Sequence, residues 1–379
     1  MARGKLEELR LYLRQRPVMM ALLAGLTVIF FLAVTGLSRA YQAQREALGN
    51  RWFSRGMADL KAEHFESAVT EFRSALLYSP DNYAYQLNLA EALIGLKRTS
   101  EASSYLVNLW ERQPEDGLVN LELARIAVQK GQRVEAMRSY HDAIYAAWPS
   151  DQEEKRREAR LELVEFLLDA NAKAQAQSEL IALEENLGPD AKEQEKVGDL
   201  FLRAQDYEHA LGAYRASLKA ERDNPAALAG AGAAALQLGR YPQAQRYLQA
   251  AVLQDPKDAQ SVDRLKTAEL VVGMDPFRRP ISAAQRGKIV VEAFATAGER
   301  LKACSVGSAL PTAVQTSLAG SWAKLNPRIT EAGLRRNPDL VEDAMDLVFE
   351  IERETSASCG VPAGTDKALL LIAKLHEGN

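Results

Sequence analysis

With 379 residues, 47% hydrophobic and 26% charged, the chain exceeds what one ordinary globular core takes up, so several units or an extended architecture are expected. The formal net charge of -4 provides no large positive field, which excludes nucleic acid as an expected partner. The four histidines (His64, His141, His209, His376) and two cysteines (Cys304, Cys359) lack the short spacings of a zinc or haem site, so no metal and no cofactor are expected.

The chain opens with a basic tail over 1–17, followed by the uncharged run VMMALLAGLTVIFFLAVTGL over 18–37. A helix needs about 20 apolar residues to cross about 30 Å of hydrocarbon, so a single transmembrane helix is expected there. A cleavable signal peptide is the rival, because Ser38 and Ala40 are small residues at a peptidase spacing; the run is longer than the apolar stretch of such a signal, and YQAQREAL continues it as helix. Residues 38–48 are then a helical linker. Arg3, Lys5, Arg10, Arg14 and Arg16 precede the span while Arg39, Arg45, Arg51 and Arg55 follow it, a close balance. The short leading tail favours a cytoplasmic N-terminus with the remainder periplasmic, anchored in a cell inner membrane. Leu6, Leu9 and Leu13 share a helical face with basic neighbours, which fits either a helix on the anionic inner surface or a plain topology-fixing flank.

From Gly49 the sequence repeats with a period of 34 residues. Counting Gly49 as position 1, Trp52, Gly56, Ala68, Phe72, Ala75 and Pro80 occupy positions 4, 8, 20, 24, 27 and 32. The same positions return as Ala90, Ala102, Leu106, Leu109 and Pro114, and then as Ala124, Ala136, Tyr140 and Ala143 before Trp148 and Pro149. After a slip of about six residues through SDQEEKRRE, a degenerate unit carries Leu161, Val164, Ala176, Leu180 and Leu183. Gly198, Ala210 and Tyr214 restore the pattern; Leu228, Gly232, Gly239, Ala244, Leu248, Ala251 and Pro256 end it. Small residues at positions 8 and 20 let two antiparallel helices approach, position 24 fills the space between them, and proline at 32 ends the second helix. This pattern resembles the tetratricopeptide repeat (TPR). The resemblance implies about six helical hairpins over 49–256 in a superhelical solenoid, closed by a capping helix over 257–273.

Such scaffolds bind protein segments along a groove lined by the first helix of each repeat, so the resemblance implies protein partners. Groove positions 5, 9 and 12 select Phe53, Met57 and Leu60; Leu87 and Glu91; Leu121 and Arg125; Leu161 and Glu165; Glu195 and Asp199. The first repeats then offer apolar anchors and the middle ones acidic groups, a pattern suited to an extended or helical segment. Position 12 serves inter-helix packing equally well. The Lys and Asn pattern with which chaperone-binding members clamp a terminal carboxylate is missing at these positions.

Residues 274–379 leave the period and predict a small helical domain of four helices: Ser282 to Cys304, Pro311 to Leu325, Asn337 to Cys359, and Thr365 to Leu375. Cys304 and Cys359 fall at helix C-termini, which makes a disulfide between them geometrically feasible in an exported protein. The fold class is therefore all-α. No phosphate loop, GxSxG or HExxH occurs, no catalytic residue is identified, and Glu350, Glu352 and Glu354 are taken as a solvated helix face. A membrane-anchored interaction scaffold or assembly factor, not an enzyme, is the expected function. The alternatives are an enzyme with an unrecognised C-terminal site and a cytosol-facing membrane receptor; oligomeric state is left open.

Overall fold

The computed structural model describes residues 2–146, 148, 153–185, 187–306 and 310–377, with side chains from Met19 onward. Pro149 and the start of the six-residue slip lie outside the described residues, as do the side chains of the basic tail. Among the described residues the structure is all-α, with eighteen helices and no strand. It divides into two units, 1–163 and 164–379.

The first unit begins with α1 (Ala2–Lys61), one continuous helix of 60 residues. Its apolar stretch has no covering: Leu22, Phe30 and Phe31 are about 70% exposed. It is the one helix among the described residues long and apolar enough to cross a membrane. The last turns of α1 pair with α2 (Phe65–Tyr78), α3 (Tyr83–Gly95) with α4 (Thr99–Arg112), and α5 (Gly117–Gln129) with α6 (Arg133–Ile144). Phe72, Leu89, Leu93 and Leu106 are fully buried between them. The final helix of this unit, α7 (Glu153–Asp169), runs across the division at Leu163.

In the second unit α8 (Lys173–Glu184) is followed by the pairs α9 (Ala191–Arg203) with α10 (Tyr207–Ala220) and α11 (Pro225–Gln237) with α12 (Tyr241–Gln254), then α13 (Ala259–Met274). The C-terminal part adds α14 (Ala283–Val306), α15 (Thr312–Leu325), α16 (Glu331–Arg336), α17 (Leu340–Cys359) and α18 (Gly364–His376).

One backbone feature counts the repeats independently of side-chain consensus. The turn between the two helices of each hairpin holds a residue with positive φ: Glu63, Lys97, Gly131, Asn171, Gln205 and Gly239. Their spacings are 34, 34, 40, 34 and 34, so the slip of six falls between the third and fourth hairpins. At each turn the following amide closes back on the carbonyl five residues earlier, as from Arg98 N to Leu93 O at 2.9 Å and from Arg240 N to Ala235 O at 2.9 Å. This left-handed closure satisfies carbonyls that a helix end otherwise leaves orphaned. The opposite ends are capped on the same period: Asn82, Asp116, Asp190, Asn224 and Asp258 each accept a backbone amide of the helix that follows.

Position 8 lies directly over position 24. A Cβ on Gly56 would sit 2.6 Å from the Phe72 ring, on Gly198 2.9 Å from Tyr214, and on Gly232 2.5 Å from Leu248. Each glycine is thus the gap that a bulky partner fills.

The sequence boundary at 273/274 does not separate two cores. Tyr241 of α12 and Val271 and Met274 of α13 belong to the same buried cluster as Phe294, Leu301, Val348, Leu369 and Ile372. The reason is α18, which returns along α13 and brings His376 Nε2 to 3.3 Å from Asp275 Oδ1. The short α16 was missed in the sequence; its Thr330 hydroxyl caps it by accepting the Gly333 amide at 3.1 Å.

Candidate partner-binding surface

In the first unit the leading helices of neighbouring repeats, α1, α3 and α5, lie side by side, and positions 5, 9 and 12 meet there. Phe53, Met57 and Leu60 are half-buried on this face. Phe53 stacks on Tyr85 with ring centroids 5.0 Å apart and tilts against Phe72 at 5.7 Å. Leu87 is 8% exposed and Leu121 is completely buried, so these two position-5 residues are core rather than anchors for a partner. Position 5 is therefore covered in the second and third repeats and half-open in the first. Glu91 and Leu161 are half-buried.

Arg125 is the centre of an ion cluster that only folding assembles. Its guanidinium donates to Glu122 Oε1 on its own helix, and to Glu158 Oε1 at 2.8 Å and Glu162 Oε1 at 2.6 Å on α7. Tyr140 OH donates to Glu162 Oε2 at 3.3 Å, and Lys155 pairs with Glu158 at 2.8 Å. Burial of the arginine is outweighed by Glu162, Glu122 and Glu158, which hold it protonated. Burial pushes the Glu122 carboxyl up to about 7; Glu91 and Glu162 add to that, and Arg125 opposes it. The participation of Glu122, Glu158, Glu162 and Tyr140 was not read from the sequence. The only available signal was the i, i+3 and i, i+4 spacing of charges within α5 and α7.

This cluster predicts a pH dependence. Because the folded value for Glu122, about 7, lies above the ordinary 4.5, its contribution to stability is complete below 4.5 and is lost as pH rises through 7. Glu122→Gln should therefore unfold later than wild type at pH 8, by up to about 3 kcal/mol, with the advantage gone at pH 4.5. Thermal melts of both proteins at the two pH values measure it; equal differences at both would refute the assignment.

In the second unit Glu165 is exposed, while Glu195 and Asp199 are engaged. Glu195 Oε2 accepts from Asn224 Nδ2 at 2.7 Å, and Asp199 accepts from the Tyr214 hydroxyl. These two bonds join adjacent helices, and Asp199 remains exposed.

Elsewhere in that unit the C-terminal ends of α14 and α17 meet. Cys304 and Cys359 form a disulfide, with Cα atoms 5.8 Å apart. Arg300 lies one turn earlier and donates to Thr355 Oγ1 at 3.0 Å and to the Gly360 carbonyl at 3.1 Å. It also faces Glu352 Oε2 at 3.4 Å and Asp366 Oδ2 at 3.5 Å. Glu352 corrects the expectation of a solvated run: Glu350 is exposed, but Glu352 is completely buried beside Val348 and Ile351 because the helical period turns it inward. Burial, then Asp366, pushes its carboxyl up to about 8 against the pull of Arg300. No group of three or more His, Cys, Asp or Glu side chains able to hold a metal occurs among the described residues.

A family model described as tetratricopeptide repeat matches residues 59–119 and 201–268. No curated protein matches the chain. Among solved structures, the chain is similar to the C-terminal part of a TPR repeat-containing protein from Cytophaga hutchinsonii, with 15% identity, 62% of this chain and 93% of that chain covered, and a TM-score of 0.46. It is also similar to pilF of Pseudomonas aeruginosa, at 15% identity over 58% and 97% of the two chains with a TM-score of 0.43. A third is YrrB, described as a TPR protein with an unusual peptide-binding site, at 16% identity over 50% and 95% with a TM-score of 0.41. The period of 34, the six left-handed turns and the two matched segments agree, and the chain carries tetratricopeptide repeats over residues 59–119 and 201–268.

Proposed function

We propose that the chain is a membrane-anchored scaffold that holds a protein partner against the leading helices of its first repeats. The observation that carries this reading is the face formed by Phe53, Met57 and Leu60, half-exposed apolar side chains beside the half-buried Glu91 and Arg125. Half-exposed apolar groups bordered by charge on regular helices suit peptide recognition: the apolar groups supply affinity and the charges fix register. The uncovered apolar stretch of α1 is the anchor, single-pass, with the N-terminus cytoplasmic and the repeats exported to the periplasm. The Cys304–Cys359 disulfide supports that side, since such bonds persist in oxidising compartments. A scaffold or assembly factor is favoured over an enzyme, because the two buried carboxylates with strongly raised pKa, Glu122 and Glu352, each face an arginine of the fold.

Two measurements test the proposal. Alkali-washed membranes should retain the full-length chain, and protease added from the periplasmic side should remove the repeats; digestion only from the cytoplasmic side would make the chain a cytosol-facing receptor. Met57→Gln, which keeps the length of the side chain while making it polar, should weaken partner capture at least tenfold without moving the thermal midpoint by more than a few degrees. Unchanged capture would remove this face from the binding site.

A further inference from the structure

The first hairpin leaves a crevice where α2 stops and α1 runs on alone toward its apolar stretch. It encloses about 420 Å³ and is lined by Tyr41, Gln44, Arg45 and Leu48 of α1 and by Leu77 and Tyr78 at the end of α2. The four α1 residues stand at i, i+3, i+4 and i+7, one stripe of a helix, so local geometry alone makes that wall. Gly49 marks the upper limit: a Cβ there would stand 3.4 Å from the Tyr78 Cβ, which places the end of α2 beside residue 49. Residues 41–48 therefore lie between that end and the apolar stretch.

The lining has the chemistry of a bilayer interface. Tyr41 is 62% exposed and Leu77 is 77% exposed. The Arg45 guanidinium lies over the Tyr41 ring, 5.9 Å from its centroid, and donates from Nη2 to the Leu77 carbonyl at 3.4 Å. It pairs with no carboxylate among the described residues, and no acidic side chain lines the crevice. A guanidinium has five N–H donors, so most of those on Arg45 are left for a guest.

The helix also sets the depth. The uncharged run ends at Leu37, and at about 1.5 Å per residue Tyr41 stands about 6 Å beyond it and Arg45 about 12 Å. Helical side chains lean toward the N-terminus, here toward the bilayer, and the contact with Tyr41 brings the guanidinium down one turn. A bilayer about 40–45 Å thick around about 30 Å of hydrocarbon has a headgroup layer of about 5–8 Å on each side. The phenol and the guanidinium both fall at that level.

Building on the reading of α1 as a membrane anchor, we propose that this crevice binds the phosphodiester headgroup of an anionic phospholipid in the leaflet on the repeat side. Arg45 donates to the phosphate, while Tyr41 and Leu77 rest in the interfacial layer, which favours side chains with an apolar body and a polar tip beside apolar ones. An anionic headgroup supplies the counter-charge that the fold withholds from Arg45; a zwitterionic headgroup carries a cation of its own that offsets it. The bound lipid holds the end of α2 against the bilayer, so the first repeat presents Phe53 and Met57 at a fixed height above the membrane.

The test places the full-length chain in nanodiscs of phosphatidylcholine alone or of an equal mixture with phosphatidylglycerol. Amide hydrogen exchange is followed over residues 73–82, the end of α2 and the turn after it. These amides should exchange about fivefold more slowly in the mixed discs, the weight of one cation at an anionic surface. Residues 250–258, the corresponding end in the last repeat, should exchange alike in both. Arg45→Gln should abolish the difference and Arg45→Lys should keep part of it. Because each variant is compared with itself in the two discs, any loosening of α2 by the lost bond to Leu77 cancels. Tyr41→Ser leaves that bond in place and should also reduce the difference. The inference is overturned if wild type exchanges equally in both discs, or if Arg45→Gln responds as wild type does. It is equally overturned if inorganic phosphate added to phosphatidylcholine discs reproduces the slowing, which would make the crevice a site for free anions. If alkali-washed membranes lose the chain, the anchor reading and the lipid site both fail; if they keep it and the two discs give equal exchange, the lipid site alone fails.

Discussion

Gly230→Ala is expected to disrupt the repeats around Tyr214 more than any other single-methyl change. The Tyr214 ring is completely buried and lies between two glycines of neighbouring helices, Gly198 on α9 and Gly230 on α11. A Cβ on Gly230 would stand 2.2 Å from Cζ of that ring and within 2.7 Å of two further ring atoms. No rotamer relieves this, because the hydroxyl is held by Asp199 and the other face of the ring is closed by Gly198. Overpacking of this kind costs about 3 kcal/mol or more, which exceeds the roughly 1 kcal/mol that alanine gains over glycine as a helix former. The unfolding midpoint of the second unit should fall by about 6–12 °C. Gly212→Ala is the contrasting case: Gly212 is exposed on α10 and nothing lies within 4 Å of its Cβ position, so the same substitution should raise the midpoint slightly. The measurement is a pair of thermal melts, with Gly230→Ala/Tyr214→Leu as the rescue. If Gly230→Ala melts with wild type, the ring does not occupy this gap.

Arg300→Ala is expected to have the second large effect, and one that depends on pH. Above pH 8 the Glu352 carboxylate is ionised in the folded chain and Arg300 is the cation beside it. Removing one partner of a buried pair leaves an uncompensated charge, at a cost of about 3–5 kcal/mol. The sign follows from the raised carboxyl: the stability it permits is complete below the ordinary 4.5 and lost as pH rises through about 8. At pH 6 Glu352 is neutral with or without the arginine, so the loss there reduces to the bonds to Thr355 and Gly360, about 1–3 kcal/mol. Denaturant titrations at pH 6 and pH 9 separate the two parts, and Arg300→Ala/Glu352→Gln should recover most of the loss at pH 9. A cost independent of pH would mean that Arg300 acts only through its hydrogen bonds.

The two predictions show different amounts of themselves in the sequence. The pairing of Gly198 with Tyr214 was visible because positions 8 and 24 recur with the period, and a repeat obliges each unit to solve the same local packing problem. That Gly230 meets the same ring was not visible, since it depends on how one hairpin stacks on the next. The partnership of Arg300 with Glu352 spans two helices outside any repeat, so no periodicity announces it.

By itself the sequence determined the all-α class, the recurrence of hairpins from Gly49 to Pro256, the slip of six residues after the third hairpin and an N-terminal run apolar enough to span a membrane. These are local or periodic properties, fixed by propensity, spacing and composition within a few tens of residues. Only the tertiary structure decided which groove positions stay open. Phe53 and Leu121 share position 5, yet the first is half-exposed and the second completely buried, because burial depends on what the neighbouring repeats lay over each site. The structure likewise merged the cap and the C-terminal helices into one core, turned Glu352 inward from a run of charge, and gathered Glu122, Tyr140, Glu158 and Glu162 around Arg125. Each is a contact between segments distant in the chain, where charge and burial act through space and the order of residues records neither.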